Sequence, residues 1–455
     1  MKNKQISRVN LILPEIKELI AEKKLEELKD IWEEFEPVEI AEVLKHLKAK
    51  ERQFLFNNWD KDFAADIFEN LPRLIQTALL KSLPRAESAK LLNKISSDER
   101  VDLFSVLPAG MVKEFLSIME HEEARDVQEL IGYDSNTAAG RMTTEFAHFS
   151  PDNTAGETLE KIRALAKDLE TIYYLYVLDK QDRLIGVFSL KELVVADPAL
   201  PISRIMHRHI ISVPVNMDQE HVARKISRYD FLALPVVDKQ KKMKGIITVD
   251  DVLDVMEDES TEDMYHFGAL TKPVENYFQA NIVSMARHRI SWLLVLVVAS
   301  LFSGFVMEKN TAVLSTTMAL VFFIPLLMNT GGGAGTQAAT VVVRGLATGE
   351  LNFGDIWRII RKELLIGLLI GSVIGILAAV RALIFQGDTL LGLSVALTMI
   401  AVISVATTIG AVLPLLFKKL GVDPAISSGP LISTIIDITT LLIYFRIAIW
   451  VFSLI

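Results

Sequence analysis

The chain has 455 residues and a formal net charge of −9 at pH 7, and 51% of it is hydrophobic. The acidic balance argues against nucleic acid and other anionic partners and leaves cations as the natural ones. Cysteine is absent, which excludes disulfides and thiolate metal sites but not hard-cation chemistry through carboxylates and carbonyls.

The averages hide a break near Arg289, charged before it and rich in Leu, Val, Ile, Ala and Gly after it. Met1 to Asn10 is polar and no apolar run of signal-peptide length follows, so no signal peptide is expected. Residues 1–133 read as short helices. Similar stretches begin at Ile40, Ala64 and Ser88, each 24 residues after the last. Leu71-Pro72, Leu83-Pro84 and Leu107-Pro108 punctuate the segment, because proline ends one helix and opens another. Repeated short helices stack into a superhelix and bury one face each. No catalytic constellation stands out, so the segment reads as a scaffold.

Two β-rich copies follow, expected at 136–200 and 201–260. Asp179 and Gly186 of the first recur as Asp238 and Gly245 of the second, 59 residues on. Each copy reads strand, polar turn, glycine, strand, then a helix capped by Ser189 or Thr248. Met142-Thr143 and Met206-His207 open them. This layout resembles a pair of CBS domains, α/β regulatory modules that often bind adenosine nucleotides. Tyr174, Phe231 and Pro235 either frame such a site or are simply core residues.

Asp250, Asp251, Asp254, Glu257, Asp258, Glu259, Glu262 and Asp263 then crowd into fourteen residues without Lys or Arg. On a helix, Asp251, Asp254, Asp258 and Glu262 share one self-repelling face. Either it is a solvated face or divalent cations neutralise it, with Asp218, Glu220 and Asp230 placed to join. Its position before the membrane favours the cation reading. A connecting helix is expected over 261–289.

The block 290–455 offers five hydrophobic stretches, at 290–307, 312–328 continuing to 343, 364–384, 390–417 and 426–452, each able to cross about 30 Å of hydrocarbon. Arg287, Arg289, Arg344, Arg358, Arg361, Lys362, Lys418 and Lys419 lie on one side, Lys309 and Arg381 on the other. The soluble part is therefore expected in the cytoplasm and the C-terminus outside, in a multi-pass plasma-membrane protein. Gly331, Gly332, Gly333 and Gly335 suggest broken backbone beside protein or a watery cavity. Asp437 is the only carboxylate after Asp423, and a carboxylate at this depth is functional by default. Ser433, Thr434 and Thr440 share its helical face, and Asp423 lies near that face if the helix extends back. The structural alternative is a pair with Arg446 or Arg381.

Over its whole length the chain resembles the MgtE family of magnesium channels. The likeness rests on Gly332-Gly-Ala-Gly-Thr-Gln337 with Val343-Arg-Gly-Leu-Ala-Thr-Gly349, and on Gly421-Val-Asp-Pro-Ala425 with Ser428-Gly-Pro-Leu-Ile-Ser-Thr-Ile-Ile-Asp437. Gly333 stands where the family usually has Asn, which leaves only backbone there. The resemblance implies a multidomain membrane protein: an α-helical superhelix, an α/β CBS pair and a five-helix transmembrane domain, assembled as a homodimer in lipid. It implies a pore lined chiefly by the second and fifth spans, including Gly331, Gly332, Gly333 and Gln337, with Mg2+ selected at Asp437 and a cytoplasmic-side ion site near Asp423. It further implies closure by Mg2+ at Asp218, Glu220, Asp230, Asp251, Asp254, Glu259, Glu262 and Asp263, with Asp250 beside them, and a gating plug helix before the first span. ATP at the CBS pair is a second expected ligand. The competing readings are a secondary Mg2+ transporter coupled to Na+ or H+, and a nucleotide-responsive signalling protein whose spans are anchors. No enzyme array is visible.

Overall fold

The computed structural model describes residues 2–166, 169–270, 281–427 and 429–453, with side chains from residue 11 except those of 122 and 316. It divides into two units, Met1–Met256 and Glu257–Ile455.

The first unit begins with α1 (Lys2–Glu22), α2 (Leu25–Trp32), α3 (Pro37–Lys45), α4 (Ala49–Asn58), α5 (Lys61–Glu69), α6 (Arg73–Ser82), α7 (Arg85–Leu92), α8 (Ser97–Val106), α9 (Ala109–Ile118) and α10 (His121–Leu130). The 24-residue repeat is explained by their packing. α3, α5, α7 and α9 stack as one row, and α4, α6, α8 and α10 as a second. Pro72, Pro84 and Pro108 are the N-cap residues of α6, α7 and α9, positions where a missing N–H costs nothing. Ile40, Leu44, Phe56, Ile67, Phe68, Leu92 and Phe104 fill the space between the rows.

The CBS pair follows. The first copy comprises β1 (Phe146–Phe149), α11 (Ala155–Leu165), β2 (Thr171–Leu178), β3 (Leu184–Ser189) and α12 (Leu190–Val195). The second comprises α13 (Ile202–Ile205), β4 (Val213–Pro214), α14 (Gln219–Tyr229), β5 (Ala233–Val237), β6 (Met243–Thr248) and α15 (Val249–Phe267). In each copy the central strand pairs in parallel with the one before it and antiparallel with the one after. The openings are exchanged: Thr143 bridges Ile246 of the second copy, and His207 bridges Val187 of the first. This gives the duplicated glycines their reason. A Cβ at Gly186 would run into Met206, and one at Gly245 into Met142 and the Thr143 carbonyl. α15 runs unbroken through the acidic cluster, with Val252 and Val255 buried, so the expected single-face spacing of its acids holds.

The second unit contains the end of α15, then α16 (Ile282–Lys309), α17 (Thr311–Thr316), α18 (Ile324–Ala347), α19 (Ile356–Gln386), α20 (Thr389–Lys419) and α21 (Gly429–Phe452). Among the described residues five helices are long and apolar enough to cross a membrane, the second including a short 3-10 stretch from Met318 before α18. Residues 271–280 of the expected connecting helix and Ser428 of the Asp437 motif lie outside the described residues. The front of that connecting segment belongs to α15, and its last part, from Ile282, is already the first span.

α20 packs against α18, α19 and α21. Gly367, Gly371 and Gly375 of α19 face the backbone at Ser404, Ile400 and Ala396 of α20, so two helices meet where a larger side chain would hold them apart. α16 has no buried residue in this chain.

Candidate functional site

Three arrangements carry chemistry, one in the membrane unit and two in the soluble unit. The first centres on Asp437, about a third of the way along α21 and half-buried. Among the described residues it makes no ion pair. Arg381 is occupied elsewhere, with its guanidinium 4.7 Å from the centre of the Phe323 ring. The structural pairing with Arg446 or Arg381 is therefore not formed.

The glycine run beside Asp437 corrects an expectation. Residues 331–335 are helical throughout, so the run offers no unwound carbonyls. Its glycines allow close helix packing instead. A Cβ on Gly331 would lie 2.8 Å from Val402 and 3.1 Å from Thr440 Oγ1, and one on Gly332 would lie 3.2 Å from Ser433 Oγ. Gly335 and Gly410 meet backbone to backbone. Gly331, Gly332 and Thr440 are thus interior contacts of α18, α20 and α21. Thr434 donates 2.8 Å to the Pro430 carbonyl, and Ser433 and Thr434 are half-buried. The open side of α18 is a different stripe: Pro325, Asn329, Gly333 and Gln337, four residues apart and all exposed. Polar groups exposed along a span need water or a partner. Asn329 was not singled out by the sequence, although the four-residue step from Gly333 was available there.

Asp423 caps the short helix that precedes α21, accepting 2.8 Å from Ala425 N–H. His266, on the last turn of α15, donates from Nδ1 to Asp423 Oδ2 over 2.9 Å, and its Nε2 is 3.7 Å from Glu262. Phe267 approaches Gly429 at the start of α21. The acidic helix is thereby latched to the segment that leads into the Asp437 helix. No sequence signal marked His266.

The second arrangement lies in the soluble unit and revises the scaffold reading of the N-terminal helices. Carboxyls from α5 (Glu69), α8 (Asp98), the first CBS copy (Glu145, Glu170) and the start of α15 (Asp250, Asp251) act on one another. Burial, then the charge of Asp98, pushes Asp251 up to about 8. Burial foremost, with Asp98, Glu145, Asp250 and Glu69 adding, pushes Glu170 up to about 8. Glu145 and Glu69 rise to about 7, again chiefly by burial. Asp98 is raised by burial, and its Oδ1 is shut off from water with no hydrogen-bond partner among the described residues.

Arg100 tempers the cluster. It is 1% exposed, pairs with Glu123 and lies 3.9 Å from Glu145. Ser97 fixes α8 on the first CBS opening, 3.0 Å from Thr143 Oγ1 and accepting 2.9 Å from Thr144 N–H. No group of three His, Asp or Glu among the described residues stands close enough to grip a bare ion.

Of the acids expected from the sequence, Asp250 and Asp251 join this cluster. Asp254, Glu259 and Asp263 interact with neighbouring groups, and Glu262 faces His266. Asp218 caps α14 and lies 3.3 Å from His221, Glu220 pairs with Arg224 at 2.9 Å, and Asp230 ends α14 in a left-handed conformation. Asp218 and Glu220 are thus occupied within their own helix.

The third arrangement is a cavity of about 520 Å³ between the CBS copies, which brings Tyr174, Phe231 and Pro235 together as expected. The Tyr174 and Phe231 rings meet edge to face at 6.4 Å, and Tyr229 stacks on Phe231 at 5.5 Å. Lys191, His207 and His209 line the polar side, with His207 Nε2 2.6 Å from Glu192. The Tyr176 hydroxyl is buried without a partner among the described residues.

A protein named magnesium transporter MgtE from Thermus thermophilus is 38% identical over 437 residues, covering 95% of this chain and 97% of that one. This chain belongs to the MgtE family. Its Bacillus subtilis relative, also named magnesium transporter MgtE, is 34% identical over 430 residues, 94% of this chain and 95% of that one. The MgtE family model, described as a divalent cation transporter, matches residues 324–447, the MgtE intracellular N domain matches 35–136, and CBS domains match 138–198 and 202–258. The crystal structure of the soluble part of a magnesium transporter covers 55% of this chain and 99% of its own, at 33% identity and a TM-score of 0.53. The cytosolic domain of the Mg2+ channel MgtE in complex with ATP covers 53% and 99%, at 34% identity and a TM-score of 0.51. This MgtE protein is thus a membrane-embedded magnesium transporter by family, and the relatives that match it over most of its length are named magnesium transporters.

Proposed function

We propose that this MgtE protein is a homodimeric channel that lets Mg2+ flow into the cell and closes when Mg2+ fills the acidic cluster of its soluble unit. The observation that carries the reading is Asp437, a half-buried carboxylate within a span and without a cationic partner among the described residues. A carboxylate kept in such a place needs a cation or water beside it. Two of them across a dimer axis form the ring that a hydrated divalent ion requires. The exposed stripe Asn329, Gly333 and Gln337 would complete the pore wall, and α16, with no buried residue of its own, is free to face lipid or the second protomer. A divalent ion moving inward gains about 4.6 kcal/mol per 100 mV, twice the single-charge figure, so inflow needs no other energy source. The basic residues flanking the spans support a cytoplasmic soluble unit and an external C-terminus.

Closure follows from repulsion. Two like charges 4 Å apart cost about 4 kcal/mol at an effective dielectric near 20, and the unpartnered Asp98 oxygen is where a bound ion returns most. Ions that bind the clustered state better than the separated state populate it. The His266–Asp423 latch offers the route from that cluster's helix to the pore mouth. The cavity at Tyr174, Phe231 and Pro235 is assigned to an adenosine nucleotide, in keeping with the relative solved with ATP.

The test is electrical recording from the protein in planar bilayers, together with Mg2+ flux into liposomes. Wild type should conduct Mg2+ without a Na+ or pH gradient and close as Mg2+ rises on the cytoplasmic face. Asp437→Ala should abolish selective current. Undiminished selective current in that variant overturns the pore assignment, and flux that requires a Na+ or H+ gradient makes the protein a coupled transporter.

A further inference from the structure

A second cavity, of about 430 Å³, lies at the N-terminal end of the superhelix, far in sequence from the CBS pair and the acidic cluster. Its walls are aromatic. Trp32 meets Trp59 edge to face at 5.8 Å and 88°, and Trp59 meets Phe63 at 5.4 Å and 84°. The two edge-to-face contacts set the three rings at steep angles to one another along one space.

Trp59 ends α4 in an extended conformation, and Asp60 caps α5 by accepting from Asp62 N–H at 3.0 Å, so the turn between the helices fixes two of the lining residues. Glu26, Glu33 and Asp60 bring three carboxylates to the cavity, against one ammonium, Lys29. Glu26 and Glu33 are exposed and form no ion pair among the described residues. Trp32 is 3% exposed and forms one of the inner walls of this cavity.

Ring faces attract ammonium groups and cover alkyl stems, while carboxylates at the rim complete the match. A hydrated Mg2+ gains nothing from indole walls. We propose that this cavity binds a small organic dication, a linear diamine or polyamine, whose charge answers the two carboxylates left over after Lys29. The carbon stem lies along Trp32, Trp59 and Phe63, and the ammonium ends reach Glu26, Glu33 and the free oxygen of Asp60.

The test is isothermal titration of putrescine and spermidine into the full chain in detergent. Saturating Mg2+ fills the acidic cluster, and K+ at matched ionic strength controls for screening. Saturable binding with one site per chain is expected, weakened at least tenfold in Trp59→Ala and in the double variant Glu26→Gln, Glu33→Gln. The double variant alters only exposed side chains, so it reads out binding even if loss of Trp59 disturbs folding. Absence of saturable heat with wild type overturns the proposal, as does unchanged affinity in the double variant.

Discussion

Asp251→Asn isolates the energetics of the acidic cluster. The carboxyl accepts 2.6 Å from the Thr248 hydroxyl at the start of α15 and is held at about 8 by burial and by Asp98. An ordinary aspartate titrates near 3.9, and moving a titration by one pH unit corresponds to about 1.4 kcal/mol. Between that ordinary value and pH 7 lie about three pH units, so keeping Asp251 in place at pH 7 costs roughly 4 kcal/mol. The side chain is partly exposed, and solvent screening brings this to about 2 kcal/mol.

Asparagine keeps the shape, still accepts from Thr248 and cannot ionise. Without Mg2+ at pH 8, the variant's soluble unit should therefore melt higher than wild type by roughly 5 °C. The sign fixes the pH window. A carboxyl raised in the folded state destabilises increasingly as pH climbs from about 4 to about 8, so the advantage of the variant should fade on acidification and vanish below pH 4. Added Mg2+ should stabilise wild type more than the variant, because the variant has lost both the repulsion and a ligand. Thermal unfolding in detergent at several pH values, with and without Mg2+ at matched ionic strength, reads all three effects. A variant that melts with or below wild type in Mg2+-free buffer at pH 8 would refute the argument.

Raising pH from 6 to 8 should lower the Mg2+ concentration that closes the channel, because Glu69, Glu145, Glu170 and Asp251, held at about 7 to 8, then shed the protons that compete with the ion; bilayer recording at fixed voltage checks it, and a pH-independent midpoint counts against the cluster. His266→Ala should free Asp423 from α15 and raise the closing Mg2+ concentration several-fold with conductance unchanged, and an unaltered midpoint would remove the latch from the mechanism. Tyr174→Ala should weaken ATP binding about tenfold to a hundredfold, the loss of one stacking contact worth about 1–3 kcal/mol, while radiolabelled ATP bound equally by both proteins would relocate the site. Gly410→Ala would force a Cβ against the Gly335 carbonyl and should cost about 1–3 kcal/mol by overpacking, read as a lower melting temperature of the membrane unit; a variant as stable as wild type would show that α18 and α20 are looser there than the structure has them.

The fold was legible wherever the sequence repeats itself or changes solvent. The 59-residue offset between Gly186 and Gly245 announced the CBS pair, and the 24-residue offset announced the helical rows. Long apolar runs announced five spans, because hydrocarbon demands length. The glycine run misled at the level of conformation. Gly331 to Gly335 suggest a break when read locally, and only their neighbours Val402, Ile436 and Thr440 show that they let helices approach while remaining helical. The acidic cluster was half legible. Asp250 and Asp251 stand in a conspicuous run, whereas Glu69, Asp98, Glu145 and Glu170 are isolated in ordinary amphipathic segments and are gathered only by tertiary packing. His266 was invisible for the same reason: its partner Asp423 is 157 residues away.

The exchange of Thr143 and His207 between the CBS copies has a consequence for how the chain is made and how it can be re-engineered. As it leaves the ribosome, the first copy cannot finish its own fold, since the strand that Thr143 joins emerges about a hundred residues later. The gap over Gly186 that Met206 fills closes sooner, once residue 206 follows about twenty residues after the glycine. The two copies are therefore a single cooperative object, slower to form than either sheet suggests because its decisive contacts are distant in sequence. A single copy cut out and fused elsewhere would carry an unpaired strand edge, and such edges invite association with other chains; a graft that moves both copies takes the seal with it.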